Sequence, residues 1–250
     1  MEYRVVVKDY YESVKKILDK IYQTQLNKIT KAADIITESI ANNGAVYVFG
    51  ATHAGIISEE LFFRAGGLMP VNPIFAPDLV TTVRPMSNTS KIENLEGYGK
   101  IIIESSGITD KDVLIVHSVS GRNMVPIEVA MWSKKRGAKL IILTNLAFSK
   151  SVKSRHSSRK RLFELDSDII IDNCGIIGDA VIKINGLRQK TAATSTISGC
   201  FIVNSIMAQV VENLVRKNIT PPVFISANID GGTEQNQKLL EEYKDRIKYL

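Results

Sequence analysis

Cysteine is scarce here: the 250 residues include only Cys174 and Cys200, too few for a disulfide framework or a four-thiolate zinc cage. A reducing, cytoplasmic compartment is the simplest setting for such a chain. Histidine is limited to His53, His117 and His156, whose spacing matches no metal motif, so no metal is expected. Long apolar runs are missing too. Val5-Val6-Val7 gives way at once to Lys8 and Asp9, which is too short for a secretory signal. The apolar stretch from Ile197 to Val211 is broken by Ser198, Gly199, Asn204, Ser205 and Gln209, short of the roughly 20 residues that a bilayer span demands. Neither a leader nor a membrane partner is expected.

What is present is ordinary for one globular domain, with 44% hydrophobic and 23% charged residues. The net charge of +6 has a single source. Lys150, Lys153, Arg155, Arg159, Lys160 and Arg161 fall in one segment without an acid, and the other residues balance at 26 bases against 26 acids. That segment holds no aromatic residue for stacking on bases, so no nucleic-acid partner is expected. It reads either as a solvated loop or as a contact for a phosphorylated small molecule or partner.

Hydrophobic periodicity predicts a first helix over about 9–43, capped by Asp9, with Val14, Leu18, Tyr22, Leu26, Ile29, Ala33, Ile36 and Ile40 on its apolar face. Asn42-Asn43-Gly44 ends it. The run Ala45 to Phe49 has the pattern of a strand buried on both faces, and similar runs occur at Val113 to Val116, Leu140 to Leu143 and Ile169 to Ile171. Ile74-Phe75-Ala76 is a weaker strand candidate. Helical patterns at Ile57 to Arg64 and Pro126 to Lys135 alternate with the strands, and Trp132 on the second of these reads as core. A long helix is predicted over Thr194 to Lys217 with Ile197, Phe201, Ile202, Ile206, Val210 and Leu214 inward, stopped before Pro221-Pro222. A loop from Ser226 to Gly232 and a last helix complete the chain. The expected fold is a single α/β domain over 1–250, with an α/β core over about 45–218 and a C-terminal loop and helix over about 221–250. Its architecture is a three-layer αβα sandwich around a parallel sheet.

In open parallel sheets ligands sit at the carboxyl ends of the strands, so the residues that follow each apolar run are the informative ones. Gly50-Ala51-Thr52-His53-Ala54-Gly55 follows the first strand and opens a helix. It reads either as an anion-binding turn or as a tight structural turn, and it lacks the glycine pattern of a dinucleotide or Walker motif. His117-Ser118-Val119-Ser120-Gly121-Arg122-Asn123 follows a later strand. It concentrates hydroxyls, an amide and a guanidinium suited to phosphate, or supplies a plain helix cap. Thr194-Ser195-Thr196 opens the long helix and taken alone is no more than a cap.

These three stations resemble the sugar isomerase (SIS) domain family, whose proteins bind phosphorylated sugars. Gly50 to Ala54 corresponds to its small-residue loop, Ser118-Val119-Ser120-Gly121 to its Ser-x-Ser-Gly stretch, and Thr194-Ser195-Thr196 to its Thr-Ser-Thr at a helix start. Over nearly the whole length, including Ser154-Arg155-His156-Ser157-Ser158 and Ser226 to Gly232, the chain is similar to a bacterial SIS group related to N-acetylmuramic acid 6-phosphate etherases. The resemblance implies an aldose-ketose phosphosugar isomerase, with a sugar-phosphate lyase or a non-catalytic sensor module as alternatives. It further implies a homodimer or larger assembly and no cofactor. Phosphate would be held by Ser118, Ser120, Gly121, Arg122 and Asn123, with Thr52, Thr194, Ser195 and Thr196 completing the phosphosugar pocket. One departure stands out: Ala54 replaces a phosphate-binding serine of many relatives, and Thr52 a common glycine.

Isomerisation moves a proton between C1 and C2 and needs a base near carbon and an acid near the carbonyl oxygen. Glu59 and Glu60 lie on the helix that opens at the first loop and point about 100° apart, so one of them faces the site. Glu60 is the candidate base, against the alternative of simple solvation. Ile92-Glu93-Asn94-Leu95-Glu96 resembles the Val-Glu-x-x-Glu stretch of the etherases, which implies Glu96 as a second carboxylate. His53 is a candidate acid beside the first strand, His156 a candidate sugar-phosphate contact within the basic segment, and His117 a structural residue.

Overall fold

Five short strands form the framework of the computed structural model, which describes residues 5–249. They are β1 (Val46–Gly50), β2 (Val71–Pro73), β3 (Val113–His117), β4 (Lys139–Thr144) and β5 (Ile169–Asp172). All pairs are parallel and the order is β2-β1-β3-β4-β5. Strand side chains alternate between faces, and here both faces are buried. Val46, Val48, Val113 and Ile115 join one core, while Tyr47, Phe49, Leu114 and Val116 join the other. This double burial is why the strands appear in the sequence as unbroken apolar runs. The first core is closed by α1 (Val6–Ala41), α2 (Ile56–Leu61) and α7 (Ser195–Arg216), the second by α4 (Tyr98–Ser106) and α5 (Met124–Lys135). The result is the expected three-layer sandwich.

The elements differ from their sequence patterns in specific ways. α1 begins at Val6, so Asp9 lies inside the first turn rather than at the cap. Its inward face is led by Ile17 and Ile21, one position before Leu18 and Tyr22, and leaves Tyr22 and Leu26 exposed. The stop is as expected, with Asn42 as the C-cap and Asn43 at φ +64°. α2 ends at Leu61 because Phe62 turns extended and Phe63 takes a positive φ of 43°, so Arg64 lies beyond it. The edge strand is Val71–Pro73, just before Ile74-Phe75-Ala76; only the Ile74 N–H continues the ladder, donating to the Val48 carbonyl at 2.8 Å, before Pro77 starts a 3-10 turn.

α7 buries Ile202, Ile206, Val210 and Leu214 and leaves Ile197 and Phe201 exposed. By length and composition it could cross a bilayer, but it lies against α1 in the first core, as the core helix of a globular fold does. α3 (Ser87–Ile92), α6 (Leu146–Ser151) and the terminal α8 (Gly232–Tyr243) complete the helices used below. An unexpected antiparallel hairpin, β6 (Ala180–Ile182) with β7 (Thr191–Ala193), stands between β5 and α7.

Sheet order fixes where a ligand can enter. After β1 the chain moves to β2 on one side, and after β3 it moves to β4 on the other, so the loops leaving β1 and β3 diverge. The crevice between them, at the carboxyl ends of neighbouring strands, is the switch point at which α/β sheets bind ligands.

Candidate ligand-binding cleft

The turn after β1 is tight at both ends. A Cβ on Gly50 would lie 2.3 Å from the Ala54 carbonyl oxygen, and one on Gly55 would lie 2.7 Å from the Gly50 oxygen. Within it Thr52 holds φ +56°, a left-handed conformation that glycine adopts freely and a β-branched residue adopts only under constraint. The constraint comes from below. His117 at the end of β3 is buried, and its Nδ1 meets the Ala54 carbonyl at 3.0 Å. Nδ1 therefore carries the proton and donates it. Burial lowers the His117 pKa to about 4, so the ring is neutral near pH 7, with a buried Nε2 lone pair that takes no hydrogen bond among the described residues.

The turn after β3 is built around Gly121 at φ +59°. Its N–H donates to the Ser118 hydroxyl oxygen at 3.3 Å, and its carbonyl accepts the Leu162 N–H at 2.8 Å. Thr144 at the end of β4 donates its hydroxyl to the Ser118 carbonyl at 2.7 Å. Asn123 is the N-cap residue of α5 but makes no side-chain cap. Its amide points outward instead: the Oδ1 accepts from Arg155 at 2.7 Å, and the side chain hydrogen-bonds Glu93 just past the end of α3. Burial raises the pKa of the Glu93 carboxyl above the ordinary value, while the Asn123 hydrogen bond and the nearby Arg155 charge pull it down.

These two turns open into one cleft of about 450 Å³. Of the residues singled out from sequence, Thr52, His53, Ser118, Ser120, Arg122, Asn123 and Ser195 line it. Gly121 forms the turn beneath, Thr194 is buried beside Ser195, and Thr196 is not among the lining residues. Arg122 carries a buried Nε without a hydrogen-bond partner among the described residues, the state expected of a group built to meet a ligand.

Three anticipated residues lie elsewhere. Glu60 does not face the cleft: its carboxylate pairs with Arg64, four residues on, and accepts from Asn204 of α7 at 2.8 Å. Glu96 and His156 gather with Glu128 in a separate cluster, their donor atoms within 4.8 Å of one another. There the Ser158 N–H donates to His156 Nδ1 at 3.1 Å, which leaves the ring proton on Nε2, facing Glu96 at 3.6 Å and Glu128 at 3.7 Å. A protonated nitrogen is a donor to carboxylates and not a metal ligand. Glu60 and Glu96 thus do not converge.

The cleft also contains residues that the sequence reading passed over. Glu93 lines it in place of Glu96, three positions earlier in the same stretch. Arg155 lines it from the basic segment, its N–H donating to the Arg122 carbonyl at 2.9 Å, so that segment is not merely a solvated loop. Asp179, which precedes β6, lines it beside Ser195. The two thiols stay out of the chemistry, Cys174 buried and Cys200 half-buried, both with pKa values raised by burial.

Comparison with known proteins agrees with this architecture. The SIS domain family model matches residues 9–145. A UPF0309 protein of Shouchella clausii is 48% identical over 244 residues, covering 98% of this chain and 99% of that protein. A UPF0309 protein of Listeria innocua is 39% identical over 245 residues, with 98% of each covered. Among solved structures, a phosphoheptose isomerase from Francisella tularensis superposes with TM-score 0.54 at 17% identity, covering 85% of this chain and all of that one. One from Neisseria gonorrhoeae superposes with TM-score 0.51 at 14% identity over 82% of this chain and 97% of its own. These two share the fold. By the family match and by relatives similar along almost their entire length, the chain belongs to the SIS domain family and, within it, to the UPF0309 proteins.

Proposed function

We propose that the cleft binds a sugar phosphate and interconverts its aldose and ketose forms. One observation carries this reading: a carboxylate with a raised pKa, Glu93, shares a cleft with the hydroxyls of Ser118 and Ser120 and with Arg122, whose buried Nε has no hydrogen-bond partner among the described residues. Phosphate oxygens accept hydrogen bonds from these side chains, while the positive end of the α5 dipole favours the charge. The open-chain sugar then extends toward Glu93. Its carboxylate removes the C2 proton and returns it to C1, while the proton on O2 is passed to O1 through an acid at the cleft rim, where His53 stands. Arg155 and Asn123 hold the Glu93 carboxylate in place. The phosphoheptose isomerases of the same fold have names that fit this chemistry.

Thermal-shift screening with hexose and amino-sugar 6-phosphates identifies the ligand, and proton exchange at C2 followed by NMR in deuterated buffer reads the chemistry. Stabilisation that is lost in Ser120→Ala is expected. In Glu93→Gln, exchange should fall by about a hundredfold to ten-thousandfold with binding retained. Because the base works only when ionised, the acid limb of the rate profile should lie above that of an ordinary glutamate. Exchange that survives in Glu93→Gln rejects this base, and stabilisation without exchange in the wild type makes the chain a binding module. Release of a C3 substituent would instead identify elimination, which shares the first proton abstraction.

A further inference from the structure

The start of α7 already holds an anion, and the anion belongs to the chain. Asp179 Oδ1 accepts the backbone N–H groups of Thr194 at 3.0 Å and Ser195 at 2.8 Å, and its Oδ2 accepts the Ser195 hydroxyl at 2.6 Å. The Thr194 hydroxyl adds a longer contact at 3.3 Å. Donors that would otherwise be free to hold a phosphate are satisfied by a carboxylate.

The hairpin delivers it. Ala180 pairs with Ala193 in the β6–β7 ladder, so the residue before β6 and the residue after β7 are brought side by side at its open end. Asp179 arrives there at φ +66°, after Gly178 at φ +81°, a backbone state that persists only where its surroundings hold it. The same carboxylate lines the cleft together with Arg122 and Arg155. The cleft therefore contains one region with cationic and hydroxyl donors, after β3, and one already negative, at α7. Two anionic groups on one ligand would place the second against Asp179, and charges at such short range in a partly enclosed site repel strongly.

We propose that Asp179 is a specificity-determining residue. By seating the chain's own carboxylate on α7, it leaves a single anion position at Ser118 to Asn123 and restricts the cleft to ligands with one phosphate. The proposal rests on the sugar-phosphate reading of the cleft and extends it to the number of phosphates.

Isothermal titration of the full chain with a ketose 6-phosphate and the matching 1,6-bisphosphate, and with inorganic phosphate, tests it. The wild type is expected to prefer the monophosphate and to bind one inorganic phosphate. In Asp179→Asn, which keeps an acceptor oxygen and so guards against loss of the fold, the preference should narrow by about tenfold, since a like-charge contact is removed. In Asp179→Ala a second inorganic phosphate should bind, and a crystal soak should place it at the Thr194 and Ser195 amides. An unchanged mono-to-bisphosphate ratio in Asp179→Asn, or two phosphates on the wild type, overturns the proposal. If no sugar phosphate binds the wild type, the sugar-phosphate reading fails. A phosphate gained only on Asp179→Ala would still uphold the role of Asp179 as the anion of this cradle, and its absence there would refute it.

Discussion

Gly121 shows how much of the cleft depends on one backbone position. It stands at φ +59°, and a Cβ there would lie 2.8 Å from the Ser149 hydroxyl, 3.3 Å from Leu162 Cβ and 3.3 Å from Thr144 Oγ1. An alanine meets both obstacles at once, a left-handed backbone and a packed neighbour in each direction. Gly121→Ala should therefore destabilise the chain by about 1–3 kcal/mol in urea denaturation and weaken sugar-phosphate binding, because the Ser118 hydroxyl oxygen is held by the Gly121 N–H. Full stability in this variant would mean that the turn re-forms without its glycine. Thr52 carries the same left-handed strain without glycine's freedom, and like Gly121 it belongs to the turns from which the cleft is made.

At the scale of elements, the basic segment is a bracket and not a free loop. Arg161 donates to the carbonyls of Ser149 and Lys150 at 3.1 Å and of Val152 at 3.2 Å, and it pairs with Glu164. The Ser157 hydroxyl bonds Glu96, and His156 sits buried between Glu96 and Glu128, so that Arg155 is presented to Asn123. His156→Ala should thus weaken sugar-phosphate binding without itself lining the cleft, and should cost only about 1 kcal/mol, since Glu128 loses the ring but keeps the Gly97 and Gly99 N–H groups at 2.6 and 2.8 Å. Lys153→Ala, an exposed change in the same segment, is the control; equal effects of the two in calorimetry would show that the bracket positions nothing.

The same scale separates what the sequence discloses from what it hides. Strands buried on both faces and a first helix stopped by Asn42-Asn43 leave continuous or periodic apolar patterns, so the parallel sheet and its layers were legible, whereas the strand order that sets the switch point was not. The Ser118 to Asn123 turn was legible because it directly follows β3. Glu93 and Glu96 share one stretch, and which of them reaches the cleft depends on where α3 ends. The β6–β7 hairpin is three residues per strand and mostly half-buried or exposed, too short for a two-residue period to register. Asp179 therefore carried no local signal, since its partners Thr194 and Ser195 lie fifteen and sixteen positions away.

Across the whole molecule, pH acts on the same junction between sheet and cleft. His117 is held neutral by burial with a pKa of about 4, whereas in the unfolded chain it titrates near 6.5. As pH falls below that unfolded value the unfolded chain takes up the proton first, and stability declines until about pH 4, by something on the order of 3 kcal/mol. Glu164 acts further down: hydrogen bonds from Arg161 lower its pKa to about 2, so its contribution is present above the ordinary carboxylate range and disappears as pH falls toward 2. Glu93 runs the opposite way, because burial raises its pKa; what it contributes is present in acid and lost as pH rises through its folded value. Between pH 7 and 5 Glu164 is ionised in both folded and unfolded chain and adds no slope, whereas Glu93 opposes the histidine; its shift is the smaller of the two, so His117 sets the sign. The wild type should therefore lose stability steadily over this range in urea titrations. His117→Gln, which retains an amide donor for the Ala54 carbonyl but does not titrate, should flatten that slope even if its absolute stability is lower. A slope as steep in His117→Gln as in the wild type would place the acid sensitivity elsewhere. A flattened one ties the acid limit of the fold to the ring that holds the β1 turn of the cleft in place.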